Sequence, residues 1–208
     1  MTNTVPSSDC GDRPFRHSYH WNYFLIANDS LEQARNFEKE LNLSSTDSPW
    51  KRLHNEGRLT NAVFVSVVFS ALFVEAFANF ILREKLSGFF RERYDSLDPL
   101  SKLICTLKQA YNHDLLPDSI LSQRITRLSK RRNTFVHAKP MTFSCTHEDQ
   151  QKFIASVRFE AKHASEAVAT CRQLISTLNG IDSTIDTGLL RQEEWYRIRL
   201  PQLASPQP

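Results

Sequence analysis

The sequence predicts an all-α protein, an up-and-down bundle of about five main helices with a helical extension on its N-terminal side. Apolar residues recur at spacings of three and four through most of the chain. Glycine is scarce, with five in 208 residues, and those five cannot be arranged into G-x-G-x-x-G or G-x-x-x-x-G-K-[ST], which argues against dinucleotide and P-loop folds. A chain of this length, 40% hydrophobic and with fourteen Phe, buries about 70% of its unfolded surface, so it needs neither disulfide nor metal to hold a core.

Residues 1–17, rich in Pro, Ser and Asp, read as a flexible arm. His20 to Ala27 suits a short helix, and a second segment starts near Asn28, with Asp29 or Ser30 as N-cap and Leu31, Ala34, Phe37 and Leu41 behind it. SSTDSPW, residues 44–50, is expected to end that segment. Thr60 is expected to cap a long helix to about Leu86, with Ser87 and Gly88 as the stop. Its apolar residues go most of the way round, which makes it the centre of the bundle or part of a subunit interface. Asp98-Pro99 opens the next helix, with Leu100, Leu103, Leu107 and Tyr111 in register.

The fourth helix starts at Asp118 or Ser119, runs through Leu121, Ile125, Leu128 and Phe135, and closes before Pro140. Thr146 with Asp149 resembles a capping box, after which Phe153, Val157, Ala161, Ala164, Val168, Cys171, Ile175 and Leu178 keep the helical rhythm to Asn179-Gly180. That fifth helix would be roughly 48 Å long, with an Ala-rich middle that lets a neighbour approach closely. Residues 18–180 thus form one helical domain, followed at 181–208 by an irregular C-terminal arm and tail in which Trp195 to Leu200 alternates like a strand without a partner.

The four cysteines form no C-x-x-C pair, and Met1 to His20 has no apolar export segment, so the expected compartment is the reducing cytoplasm. Ala62 to Leu82 is apolar enough to raise a membrane span, but Ser66, Ser70, Glu75 and Asn79 interrupt it and a buried bundle helix explains it without the cost of a Glu in lipid. No membrane partner is expected. His17 with His20, and His147-Glu148-Asp149, lack the companions of a zinc site, so neither metal nor cofactor is expected.

A formal net charge of +3 is uninformative, but its distribution is not: Arg124 to Lys139 holds six Lys or Arg and no Asp or Glu. Arg124, Arg127, Lys130, Arg131 and Lys139 are the side chains an RNA would meet there. Within KRRNTFVHAKP, residues 130–140, Asn133 and His137 share a helix face, whereas Arg132 lies about 140° around from His137. Two copies facing each other across a dimer would complete a shared pocket. An imidazole moves protons at neutral pH and a guanidinium fork holds phosphate oxygens as they gain charge, so the trio suits cleavage of RNA by its own 2′-hydroxyl. Asn133 would either bond the phosphate or hold the ring. Arg131, the rival arginine, sits about 240° from His137.

The string Arg132-Asn133-Thr134-Phe135-Val136-His137 resembles the motif of the HEPN superfamily, small helical proteins that include RNA-cleaving toxins and defence nucleases. The family's long apolar helix bearing an acidic residue is matched by Glu75 in SALFVEAFANFILRE, and the likeness covers about Thr60 to Leu178. The resemblance implies a HEPN-like bundle, a homodimer with a cleft at its interface, cleavage without metal, and an antitoxin or regulatory protein as a further partner. Arg132, His137, Asn133 and Glu75 would carry the chemistry. Glu75 is expected in partly apolar surroundings, where it must be paired or protonated, and a salt bridge to Arg132 satisfies it as well as a catalytic task does. The alternative function is a non-catalytic module that holds a nucleotide, RNA or a protein through the same basic face.

Overall fold

Ser-Pro starts helices as readily as it stops them, and here that decides the architecture. The computed structural model describes residues 20–43, 48–136 and 160–185. Ser48 takes an extended backbone, its hydroxyl accepts from the Lys51 N–H at 3.4 Å, and Pro49 occupies the first turn, where a missing N–H costs nothing. The long helix therefore begins eleven residues before Thr60, correcting the boundary expected from the sequence.

The described residues form six helices: α1 His20–Leu43, α2 Pro49–Lys85, α3 Gly88–Tyr94, α4 Pro99–Tyr111, α5 Ile120–Val136 and α6 Ala161–Ile181. The described residues are helical with no strand among them. α1 is one helix rather than two segments: Asp29 and Ser30, the expected caps, lie inside it, and the residues just before them hold it to its neighbours. Asn28 Oδ1 accepts from Arg172 of α6 at 2.7 Å, and the Ala27 carbonyl accepts from the buried Ser66 hydroxyl of α2 at 2.8 Å. The short α3, which buries no residue, was not anticipated. α4 matches its expected start at Asp98, whose carboxylate accepts from the Leu100 and Ser101 N–H groups at 3.1 and 3.2 Å. It ends on Asn112 at φ 49°, a left-handed cap that Asn tolerates. Ser119 accepts from the Ser122 N–H at 3.2 Å and so caps α5 as expected. α6 starts at Ala161, where Glu160 takes an extended backbone, so the unbroken helix of roughly 48 Å expected from Thr146 does not form. Thr146 itself, the arm at 1–17 and the strand-like Trp195 to Leu200 lie outside the described residues.

α2 touches every other helix. Its Val63, Val67, Phe73, Phe77 and Ile81 are at most 1% exposed, and α1 and α6 cover that side with Phe24, Leu31, Leu174 and Leu178. Each such fully buried side chain is worth about 1.5–3 kcal/mol, against about 0–1 for an exposed ion pair, so apolar burial holds the bundle. Ala161, Ala164 and Ala167 are buried, as the Ala-rich middle of the fifth helix suggested, and the Cys171 thiol packs against the Ser70 carbonyl at 3.5 Å, its pKa pushed up by burial to about 12. α2 also meets the length and apolarity of a membrane span (hydropathy 2.0), but half of that window is buried inside this chain.

Beyond α6, Ile185 is 2% exposed, so the chain stays on the bundle through its first turn after the helix. A polar clasp holds it there. Asp182 Oδ2 accepts from Lys85 Nζ at 2.8 Å and from the Tyr111 hydroxyl at 2.7 Å, while Oδ1 accepts from the Thr184 N–H at 2.9 Å. The ends of α2, α4 and α6 are thereby tied to one carboxylate. The Lys85 ammonium, with help from Thr184 and Tyr111, holds the Asp182 carboxyl well below its usual range. Burial together with the bond to Asp182 pushes the Tyr111 phenol up to about 12, so it stays a donor. A carboxyl depressed in the folded state stabilises it above the unfolded value of 3.8 and loses that contribution as pH falls below it. Asp182→Asn should lower the urea midpoint at pH 7, and the gap from the wild-type chain should close as titration proceeds below pH 3.8. A gap unchanged on acidification would mean that the clasp does not depend on the charge.

Candidate functional site

α5 buries Leu121, Ile125 and Leu128 at helical spacing, and Ser122 anchors its first turn by donating to the Leu116 carbonyl at 2.7 Å. Once that stripe is fixed, every other side chain on the helix has its direction. Arg124, Arg127 and Arg131 fall on one flank, facing α6. Lys130 is exposed. Arg132 comes four residues after Leu128 and so continues the buried stripe itself, half-buried, at a position where a core helix would carry another Leu. One turn on, Phe135 stacks on Phe64 of α2 with ring centres 5.7 Å apart.

The basic segment thus divides into two faces. On the first, Asn133 Oδ1 accepts from Arg132 at 3.0 Å, which is the only hydrogen bond or ion pair of Arg132 among the described residues. Asn133 therefore meets the guanidinium in this structure. His137 and Lys139 lie outside the described residues. On the second face, Arg131 pairs with Glu166 of α6 at 2.7 Å and Arg124 donates to Gln173 at 2.7 Å, while Arg127 has neither bond nor ion pair among the described residues. A groove of about 310 Å³ runs between these side chains and α6. Arg131 donates to Glu166 and draws its carboxyl below the usual range. Burial first, and the Arg131 cation second, lower the pKa of His163 one turn before it. His163, Glu166 and Gln173 escaped the sequence reading, although their spacings of three and seven mark a polar edge on an Ala-rich helix.

Glu75 departs from expectation. It is exposed, and no ion pair joins it to Arg132. α1 and α6 cover the opposite side of α2, leaving Glu75 on a strip with Phe64, Val68 and Leu72, the first 38% exposed and the other two half-buried. Asn79, next along that strip, accepts from the buried Lys102 through its Oδ1 at 2.7 Å. Among the described residues no cluster of three or more His, Cys, Asp or Glu is placed to hold a metal ion.

No family model, no curated protein and no solved structure matches the chain. An exposed carboxylate without a partner contributes little to folding, so Glu75→Gln should change stability by less than about 0.5 kcal/mol in urea titration. A larger loss would show that Glu75 has a structural partner in solution.

Proposed function

We propose that this protein is a HEPN-like, metal-independent endoribonuclease of the toxin or defence type, acting in the cytoplasm as a homodimer. The observation that carries the reading is Arg132: it stands half-buried on the apolar stripe of α5, and its bonded partner among the described residues is the neutral Asn133. A cation held in that way is matched by a phosphate that gains charge during reaction. Arg132 would hold the phosphate, Asn133 would orient Arg132, and His137 would handle the proton. The 2′-oxygen bonds to phosphorus, the bond to the 5′-oxygen breaks, and the proton taken from the 2′-hydroxyl is returned to that leaving oxygen. The products are a 2′,3′-cyclic phosphate and a 5′-hydroxyl. Glu75 makes no ion pair with Arg132 within one chain, so a brace on the arginine from it would come across the dimer. An antitoxin or regulatory protein would be a further partner. The α5–α6 groove, which gathers cations apart from Arg132, favours a second reading, a non-catalytic module binding RNA or a nucleotide.

Cleavage of single-stranded RNA should persist in EDTA. His137→Ala should lose roughly 10² to 10⁴ in rate, and Arg132→Lys, which retains charge but not the fork, should fall nearly as far as Arg132→Ala. Full activity in His137→Ala, or cleavage at a 2′-deoxy nucleotide, would refute the mechanism and favour the binding module.

The dimer is supported by the half-open strip of Phe64, Val68 and Leu72 on α2. A specific interface there should bury at least about 1,000 Å² in total. Sedimentation at micromolar concentration should give twice the chain mass of 24.0 kDa, and a species of 24.0 kDa alone would count against a shared cleft.

A further inference from the structure

The arginines beside α6 are a different feature from the Arg132 motif, and their arrangement has its own chemistry. Arg124, Arg127 and Arg131 stand at spacings of three and four on one flank of α5. Over these seven residues the row extends roughly 10 Å along the helix. A stacked nucleic-acid strand carries one phosphate per about 3.4 Å, so the row is matched to about three phosphates. The opposite wall is built from short side chains, Ser165, Ala169 and Thr170, which is why long arginines leave a groove of about 310 Å³ rather than a closed contact. Among the described residues no aromatic ring lines it, so bases meet no stacking surface from them and binding would read the backbone.

The charges in the groove are unequal. Arg127 makes no hydrogen bond or ion pair among the described residues and acts on Glu166 only through its charge, Arg124 is bonded to the neutral Gln173, and Arg131 is opposed by the Glu166 carboxylate at 2.7 Å. Arg35 of α1 reaches the same wall, donating to Ser165 at 3.2 Å while paired with Glu32 at 2.9 Å. Three cations on α5 thus face one carboxylate, and a polyanion entering the groove competes with Glu166 for Arg131.

We propose that the α5–α6 groove binds the phosphates of a single RNA strand, independently of base sequence, with Glu166 acting as an internal competitor for Arg131. The inference rests on the proposed function for its choice of ligand. A strand rather than a free nucleotide is favoured because the basic run continues along the same helix to Arg132, so one polyanion is able to engage both faces.

The test uses the full chain and a fluorescent 2′-O-methyl oligonucleotide, which has no 2′-hydroxyl nucleophile, with affinity followed by anisotropy across a salt series. The Arg124→Ala/Arg127→Ala chain should bind at least tenfold more weakly for every sequence tried, and its log–log salt slope should fall by about 0.7 per arginine removed. Glu166→Gln should bind about fivefold more tightly, a gain that misfolding cannot imitate. Equal affinity and slope in wild type and double variant, or no binding by wild type at low salt, would overturn the proposal. So would stoichiometric displacement by micromolar ATP, which would give the groove to a free nucleotide. Groove-dependent binding without any cutting of the matching 2′-hydroxyl strand would leave this proposal standing and sink the nuclease reading. Cutting with a kcat/KM untouched by the double variant would do the reverse.

Discussion

The covering of α2 is the constraint from which the rest of the fold follows. A 37-residue helix about 55 Å long, with Val63, Val67, Phe73, Phe77 and Ile81 along one side, cannot stand in water alone. α1 takes up much of that side, and the contact is close because Ser66 is small and its hydroxyl spends its hydrogen bond on the Ala27 carbonyl. α6 closes the remainder through Ala164, Val168 and Cys171, each at 0% exposure. Glu38 of α1 then accepts from the Ala161 N–H at 3.0 Å, satisfying a backbone donor at the start of α6 from a helix distant in sequence. Two large surfaces and a borrowed cap fix the three-helix frame.

What the frame leaves uncovered is where function can reside. With α1 and α6 on one side of α2 and α4 and α5 beside it, the strip of Phe64, Val68, Leu72 and Glu75 stays half-open, and α5 has one edge against α6 and another turned towards Phe64. The basic segment is therefore divided by helix register: three arginines go to the α6 edge and Arg132 to the apolar stripe. One sequence run serves two surfaces because successive residues on a helix turn by about 100°.

How much of this could be read in the sequence depended on how local each cause was. α4 was legible to the residue, since Asp98 and Pro99 carry their own signal and the bonds to Leu100 and Ser101 stay within three residues. The starts of α1 and α2 were not. Asp29 and Ser30 look like caps until their surroundings are known, and the Arg172 that bonds the neighbouring Asn28 lies 144 residues away. Ser48-Pro49 is the same dipeptide whether it ends one helix or begins the next. The arginine cluster was visible as composition, but its pairing with Glu166, 35 residues on, was not. Glu75 was misjudged for a related reason. An apolar sequence on both sides of it says that the helix is buried somewhere, and only the placement of α1 and α6 says on which side.

The distinction between Arg131 and Arg132, adjacent and chemically identical, comes from what each gives up by being where it is. Arg131 sits half-buried against a carboxylate, an arrangement that any helical bundle would accept and that is worth at most about 1 kcal/mol at such exposure. Arg132 stands half-buried on the stripe of Leu121, Ile125 and Leu128, where a Leu would add part of the about 1.5–3 kcal/mol that full burial supplies, and it receives a neutral amide in exchange for part of its hydration. Local patterning is broken at that position, and among the described residues only the bond to Asn133 offsets it. Positions of this kind are where a chain gives up stability for chemistry. The same comparison separates Arg132 from Arg124, Arg127 and Lys130, which are exposed and cost the fold nothing.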